Sequence, residues 1–131
     1  MTVVGDRLPV VERTIALPDM IAYAGATWDW HRLHYDAAYV AQLGLPGPVV
    51  DGQVFGALLA EQIGDAYGPG AFLRTLRFRF AAPVYAEETV RCDSTVTGVD
   101  GDRVTLDCRV EVVGENARRA VAPAGATVEL R

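Results

Sequence analysis

The sequence predicts an α+β fold in which a curved antiparallel sheet wraps around one long central helix. Residues 52–67 are apolar on nearly all sides, which is typical of a buried helix. After residue 70, apolar and polar residues alternate with a period of two, which is typical of strands with one buried face. Since the chain has 131 residues and half of them are hydrophobic, we expect a single domain spanning residues 1–131.

The chain begins with a strand and a helix. Residues 1–10 form a lead-in without a clear pattern, and residues 12–17 predict a short strand. Pro18 and Asp19 suit the first turn of a helix. Backbone N–H groups in the first turn have no partner within the helix, so the missing N–H of proline costs nothing there, and the negative charge of aspartate complements the helix dipole. Gly25 is predicted to end this helix.

Two further helices follow a polar segment. Asp36 is a suitable N-cap for a short helix over residues 37–43. Residues 45–48, Leu-Pro-Gly-Pro, have the composition of a turn. Asp51 stands directly before the long helix, in the N-cap position, and Gly-Pro-Gly at residues 68–70 ends that helix.

Four strands are predicted after the long helix, over residues 72–80, 90–97, 104–112 and 120–130. Asp100-Gly101 is a strong hairpin signal between the second and third of these strands, and Glu115-Asn116 is a weaker one between the third and fourth. A sheet of about five strands cannot cover the helix and also close its own edges. We therefore expect a dimer, with a sheet that continues across the interface.

Composition restricts the function. The net charge of −5 argues against nucleic acid as a partner, because phosphate binding requires a basic field. The N-terminus lacks a signal-peptide pattern, and no apolar run is long enough to span a membrane. We expect a cytoplasmic protein without membrane association, with Cys92 and Cys108 as free thiols packed in the core.

Chemistry-bearing residues concentrate in residues 26–36, which contain both histidines and both tryptophans of the chain. No apolar periodicity runs through this segment, so it is predicted to be a loop. Asp29 and His34 are five residues apart and can converge on one small molecule as a general acid/base pair. The alternative is an Asp–His hydrogen bond that only stabilises the loop.

A metal site is a second alternative for this segment. Asp29, His31, His34 and Asp36 are residue types that bind metals. Nothing else in the sequence supports a metal, and the two cysteines do not form a metal-binding motif. We therefore expect no metal.

Several motifs, taken in order, resemble those of the MaoC-like family, which is related to the (R)-specific enoyl-CoA hydratases. The first motif consists of Asp29, four intervening residues and then the tripeptide His34-Tyr35-Asp36. The second is Gly-Leu-Pro-Gly-Pro-Val-Val-Asp-Gly at residues 44–52. The third is Phe-Arg-Phe-Ala-Ala-Pro-Val at residues 78–84. The resemblance covers residues 15–130 and implies a dimeric hot-dog fold.

The resemblance also implies an activity, the addition of water to a trans-2-enoyl thioester or the reverse dehydration. Asp29 and His34 would bind the water, and the N–H of Gly52 at the helix N-terminus would stabilise the thioester oxyanion. The substrate would be linked to coenzyme A. No other cofactor is expected.

Other residues are candidates for substrate binding. Trp28 and Trp30 could form a wall of the acyl pocket or pack at a dimer interface, and Arg79 could contact the phosphates of coenzyme A. Gln53 follows the predicted oxyanion donor. His31 stands where the family has asparagine, and a hydrogen-bonding or substrate-shaping role is expected for it.

Asp51 is the main departure from the family pattern, which has histidine before the helix glycine. A carboxylate near a developing enolate is unfavourable unless it points away. Three alternatives to the hydratase remain, and this departure supports the first of them. The first is a non-catalytic or half-site subunit of a heteromeric hot-dog hydratase. The others are an acyl-CoA thioesterase and a module that only binds its ligand.

Overall fold

A computed structural model describes residues 1–131. The elements in chain order are β1 (Val11–Thr14), α1 (Leu17–Thr27), a 3-10 helix (Arg32–His34), α2 (Ala37–Gln42), α3 (Gln53–Tyr67), β2 (Ala71–Phe80), β3 (Thr89–Asp100), β4 (Arg103–Val113) and β5 (Arg118–Leu130). This is the predicted order of strands and long helices. The 3-10 helix is an addition within the segment that was predicted to be a loop.

The five strands form one antiparallel sheet in the order β1-β3-β4-β5-β2. The sheet curls around α3, which contacts β2, β3 and β5, and this arrangement is the predicted hot-dog fold. Leu59 and Ile63 of α3 are buried against alternate residues of β3, β4 and β5. The alternation gave the buried faces of β3, β4 and β5 correctly. In β2 it was wrong for Phe72 and Phe80, which are exposed because the register of this strand shifts between Leu73 and Thr75 and again between Phe78 and Phe80. In the single chain, β1 and β2 are the two edges of the sheet.

Both predicted hairpins form. Asp100 pairs with Arg103 across a tight turn in which Gly101 has φ of 58°, a conformation that glycine adopts without strain. Glu115 and Asn116 lie in the connection between β4 and β5. The register therefore follows from local turn chemistry.

The boundaries near the N-terminus differ from the prediction. The first strand ends at Thr14 rather than at residue 17, because Ile15 enters the core and Ala16 caps α1. Helix α1 continues past Gly25 to Thr27 and ends where Trp28 adopts a left-handed conformation with φ of 60°. Helix α2 ends one residue earlier than predicted.

Helix α3 differs from the prediction in two respects. It begins at Gln53 with Gly52 as N-cap, so Asp51 stands one residue before the N-cap position. It is also buried on one face only, and Ala57 and Asp65 are among the residues on the exposed face. The physical reason is that the sheet covers one side of the helix, which composition alone does not show.

Cys92 and Cys108 are buried free thiols, as predicted. Burial raises the pKa of the Cys92 thiol to about 12, with a smaller contribution from the neighbouring Cys108. Both residues act as core packing groups. No helix is both long and apolar enough to cross a membrane.

Candidate active site

Asp29 is positioned by the end of α1. The chain turns sharply at Trp28, and the N–H of Asp29 then donates to the carbonyl of Ala24 at 3.1 Å. Its Oδ1 accepts a hydrogen bond from the N–H of His31 at 3.3 Å. The carboxylate is 47% exposed and lies at the mouth of a cavity.

His34 is held by the segment before α3. The N–H of Val49 donates to the carbonyl of Leu33 at 2.9 Å, and Nδ1 of His34 lies 2.7 Å from the carbonyl of Val49. Because a carbonyl oxygen can only accept, Nδ1 carries the proton and donates it. Nε2 is therefore the atom that faces the cavity, and the side chain is only 14% exposed.

Asp51 also points into this cavity. Its Oδ1 accepts a hydrogen bond from the N–H of Gln53 at 3.0 Å, so the side chain still caps α3 although Gly52 holds the N-cap position. Its Oδ2 lies 4.0 Å from Nε2 of His34, and the side chain is 16% exposed. The carboxylate thus faces the predicted acid/base pair instead of pointing away from it.

Asp29, His34 and Asp51 form one cluster. Nε2 of His34 lies 3.7 Å from Oδ2 of Asp29, and donor atoms of the three residues lie within 4.8 Å of one another. The two distances from Nε2 are longer than a direct hydrogen bond and suit a shared water molecule. The pKa of Asp29 lies below its usual range, chiefly because the N–H of His31 donates to its carboxylate.

A cavity of about 230 Å³ opens from this cluster into the space between α1 and α3. Most of its wall away from the cluster is apolar. The residues that line it besides the cluster are Arg13, Ile15, Asp19, Met20, Tyr23, Ala24, Val54 and Leu58. A cavity with polar groups at one end and apolar walls beyond them suits a substrate with a polar reacting group and an apolar chain.

A second cavity, of about 340 Å³, lies on the other side of His34. It is lined by Gly52, by Phe80 of β2 and by the segment from Ala81 to Val84, among others. The N–H of Gly52 has no acceptor within the chain. His34 thus borders both cavities, with an unpartnered backbone donor in the second one.

The other predicted site residues lie outside both cavities. Trp28 is 79% exposed, and Trp30 packs edge-on against it. Nδ1 of His31 accepts from the N–H of Leu33, and its ring lies beside that of His34 with centroids 6.0 Å apart. Gln53 and Arg79 are exposed on α3 and β2.

Two residues that sequence reasoning did not select contribute to the cavities. Tyr23 lines the first cavity, where burial and then the charge of Asp51 raise the pKa of its phenol. Phe80 lies against Gly52 in the second cavity. Tyr23 was visible only as part of an apolar helix stripe, and Phe80 as a strand residue within the motif at residues 78–84. Neither pattern assigns a site role to the residue.

The chain is similar to known proteins along nearly its whole length. A family model described as the MaoC like domain matches residues 2–121. The beta subunit of a 3-oxo-4,17-pregnadiene-20-carboxyl-CoA hydratase of Mycobacterium tuberculosis is 30% identical over 116 residues, covering 88% of this chain and 87% of the relative. An (R)-specific enoyl-CoA hydratase of Aeromonas caviae is 26% identical over 99 residues, covering 73% and 74% of the two chains.

Solved structures have the same fold. A chain in the crystal structure of the ChsH1–ChsH2 complex from Mycobacterium tuberculosis aligns with a TM-score of 0.89 and 26% identity, and the match covers 100% of both chains. The curled sheet and the central helix are therefore shared over the full length of the two chains.

Proposed function

This chain belongs to the MaoC-like family of hot-dog hydratases and dehydratases, and we propose that it is a hydro-lyase acting on an enoyl or 3-hydroxyacyl thioester. The observation that carries the proposal is the position of His34. Its Nε2 faces the carboxylate of Asp29 across 3.7 Å at the end of an apolar cavity. These are the groups and the spacing that water activation beside an acyl chain requires.

In the proposed reaction, Asp29 and His34 bind one water molecule between them. The water oxygen forms a bond to the β-carbon of the enoyl thioester while one of its protons passes to the acid/base pair. A proton from the same pair is delivered to the α-carbon, and the carbon–carbon double bond becomes a single bond. Addition on one face would give a (3R)-hydroxyacyl thioester, and the reverse sequence would be dehydration.

Gly52 is proposed to stabilise the negative charge that develops on the thioester oxygen. Its N–H has no acceptor in the chain and lies at the N-terminus of α3, where the helix dipole also favours negative charge. It lines the second cavity together with His34. A thioester carbonyl directed at this N–H would place its α- and β-carbons beside His34.

The substrate is proposed to be linked to coenzyme A, with no other cofactor and no metal. The apolar wall of the first cavity, formed in part by Met20, Ala24 and Leu58, suits the acyl chain. Arg79, Trp28, Trp30, His31 and Gln53 remain predicted substrate contacts. Since all five lie outside both cavities, any contact would be with the part of the substrate that extends beyond the reacting group.

A dimer is proposed through the open edge of β2, with either a second copy of the chain or another hot-dog chain. Phe72 and Phe80 of this strand are 48% and 59% exposed in the single chain. A relative named a beta subunit and a structural neighbour solved as a two-protein complex favour a heteromer as the second candidate. Because Asp29 and His34 are both present, this chain would then supply the catalytic half.

The experiment is a turnover assay on the purified chain, alone and with candidate partner chains. Loss of the enoyl-thioester absorbance is followed for enoyl-CoA substrates from crotonyl-CoA to bulky ones, and free thiol is measured in parallel. A hydratase consumes the enoyl group without releasing thiol, whereas thiol release would identify a thioesterase. Activity that appears only with a partner chain would establish the heteromer, and binding without turnover in every combination would overturn the proposal.

A further inference from the structure

We propose that Asp51 is a positioning residue for the reaction, and that its carboxylate keeps a proton on Nε2 of His34 for delivery to the α-carbon. This inference rests on the proposed function. It concerns a residue that departs from the pattern of the family, and it is carried by the geometry of the three-residue cluster.

One water molecule fits between the three residues of the cluster. Nε2 of His34 lies 3.7 Å from Oδ2 of Asp29 and 4.0 Å from Oδ2 of Asp51, and the cluster spans no more than 4.8 Å. With these separations, one oxygen atom can lie at about 2.8 Å, a hydrogen-bonding distance, from all three groups. A water that is bound by Asp29 and His34 therefore also contacts Asp51.

The three groups around this water offer more acceptors than one water molecule has protons. Two carboxylates and an imidazole whose Nδ1–H is already donated to Val49 present three acceptors to the water. A water molecule has only two protons. If the cluster carries one additional proton, a single water can donate to two of these groups and accept from the third, so that it is hydrogen-bonded to all three.

We place the additional proton on Nε2. This atom lies 3.7 Å from the carboxylate of Asp29 and 4.0 Å from that of Asp51, so both carboxylates stabilise a positive charge on the imidazole. Oδ1 of Asp51 accepts from the N–H of Gln53, which also favours a charged carboxylate. The water then donates to Asp29 and Asp51 and accepts from Nε2.

In this arrangement the cluster and the water supply and take up every proton of the reaction, so no other reactant is needed. As the water oxygen bonds to the β-carbon, its proton passes to Asp29, and the Nε2 proton passes to the α-carbon. The proton on Asp29 then returns to Nε2, which lies 3.7 Å away, and the cluster is ready for the next water. Asp51 keeps its charge throughout and never contacts the reacting carbons.

Other charged and titratable groups near His34 and Asp51 belong to three elements. Helix α1 contributes Tyr23 and Asp19, the polar segment contributes Asp29 and His31, and β1 contributes Arg13, which is paired with Glu61 of α3. The only cationic side chain among them is thus already neutralised by a salt bridge. Asp19 accepts from the N–H of Ala16 at the start of α1, and the two carboxylates of the cluster are the ones that lie within 4.0 Å of Nε2 of His34.

The test is Asp51→Asn, with Asp65→Asn as the matched control. Asparagine retains an oxygen that can accept from the N–H of Gln53, so the cap survives and only the charge is lost. Asp65 is exposed near the far end of the same helix and undergoes the same change of charge. The pH profile of kcat/KM and the side-chain ¹⁵N signals of His34 are recorded for all three proteins.

In Asp51→Asn we expect the alkaline limb of the pH profile to move to lower pH by about one unit, equivalent to about tenfold in the proton equilibrium. The ¹⁵N signals should show that Nε2 loses its proton at a pH that is lower by the same amount. Asp65→Asn should match the wild type. Identical pH behaviour in Asp51→Asn and the wild type would overturn the inference, as would an equal loss of rate at every pH. The ¹⁵N signals decide the outcome even if no enoyl thioester is turned over, in which case the proposed function fails separately.

Discussion

The ring of Phe80 occupies the position in which Gly52 would carry a side chain. A Cβ atom added to Gly52 would overlap Cε1 and Cζ of this ring. One turn further along α3, a Cβ on Gly56 would lie 2.6 Å from the ring of Phe78. Phe78 and Phe80 of β2 therefore pack directly on the backbone of the helix. A side chain at position 52 would clash with Phe80, so this position requires glycine for packing as well as for its proposed role as an oxyanion donor.

Gly52→Ala is expected to lower the free energy of unfolding by about 1 kcal/mol, the lower end of the cost of overpacking, because Phe80 is 59% exposed and its ring can move partly aside. The added methyl group must displace Phe80 from the second cavity. The control is Gly64→Ala on the same helix, where an added Cβ meets no atom within 4 Å and alanine is the better helix former. Thermal unfolding compares the variants, and equal stability of the two would contradict the packing described for Gly52.

The pair formed by Glu88 and Arg118 should stabilise the fold in a pH-dependent way. Arg118 donates to both carboxylate oxygens of Glu88 and also to the carbonyl of Pro83, next to the second cavity. The hydrogen bonds from Arg118 hold the pKa of Glu88 below its usual range. A lowered pKa in the folded state means that the stabilisation is complete above the unfolded value and is lost as pH falls through the folded one.

We therefore expect Glu88→Gln to cost about 1–3 kcal/mol at pH 7, and this difference should shrink below about pH 4.3, the ordinary value for glutamate. Denaturant unfolding at several pH values measures it. Glu12→Gln is the control, because the pair of Glu12 with Arg91 is about half exposed and should matter little. A cost for Glu88→Gln that is independent of pH would contradict the assignment to the charged pair.

Cys92 and Cys108 should not react with a thiol reagent in the folded protein at pH 8. Both side chains are buried, and burial raises the pKa of both thiols, that of Cys92 to about 12, so little thiolate is present. Two thiols per chain should react after unfolding in denaturant. Rapid reaction of either thiol in the native state would show that the strands β3 and β4 open more easily than this packing implies.

Chelation tests the expectation that no metal takes part. The donor atoms of Asp29, His34 and Asp51 are close enough to surround a small cation, but the proposed chemistry needs only water there. Turnover should be unchanged after extended treatment with EDTA. A loss of turnover that is restored by one divalent cation would contradict the expectation and would replace the shared water with a metal-bound one.

Much of the fold could be predicted from the sequence because its signals are local. Alternation identified the buried faces of β3, β4 and β5, and Asp100-Gly101 located a hairpin. The central helix was recognised from its apolar run, yet its exposed face was not, because apolar residues such as Ala57 lie on either side of the helix. Which side the sheet covers depends on contacts between distant segments, and a single run of sequence does not contain that information.

The candidate site, like the fold, could be predicted where its residues are close in sequence, but not where their positions depend on contacts between distant segments. Asp29 and His34 are close in sequence, and the structure brings them together. Asp51 could be recognised as a departure, but the direction of its carboxylate depends on how the segment before α3 contacts the 3-10 helix. Phe80 and Tyr23 reach the cavities only through tertiary packing, and their sequence patterns are those of ordinary core residues.

The measurement that tests the central claim most directly is kcat/KM for Asp29→Asn, His34→Ala and the double variant, on a substrate that the wild-type protein hydrates. If both residues act on one water, each single change should reduce kcat/KM by about 10²–10⁴-fold, and the double variant should be little worse than either. All three should unfold at temperatures close to that of the wild type. Full activity in either single variant, or losses that multiply in the double variant, would contradict a shared water between Asp29 and His34.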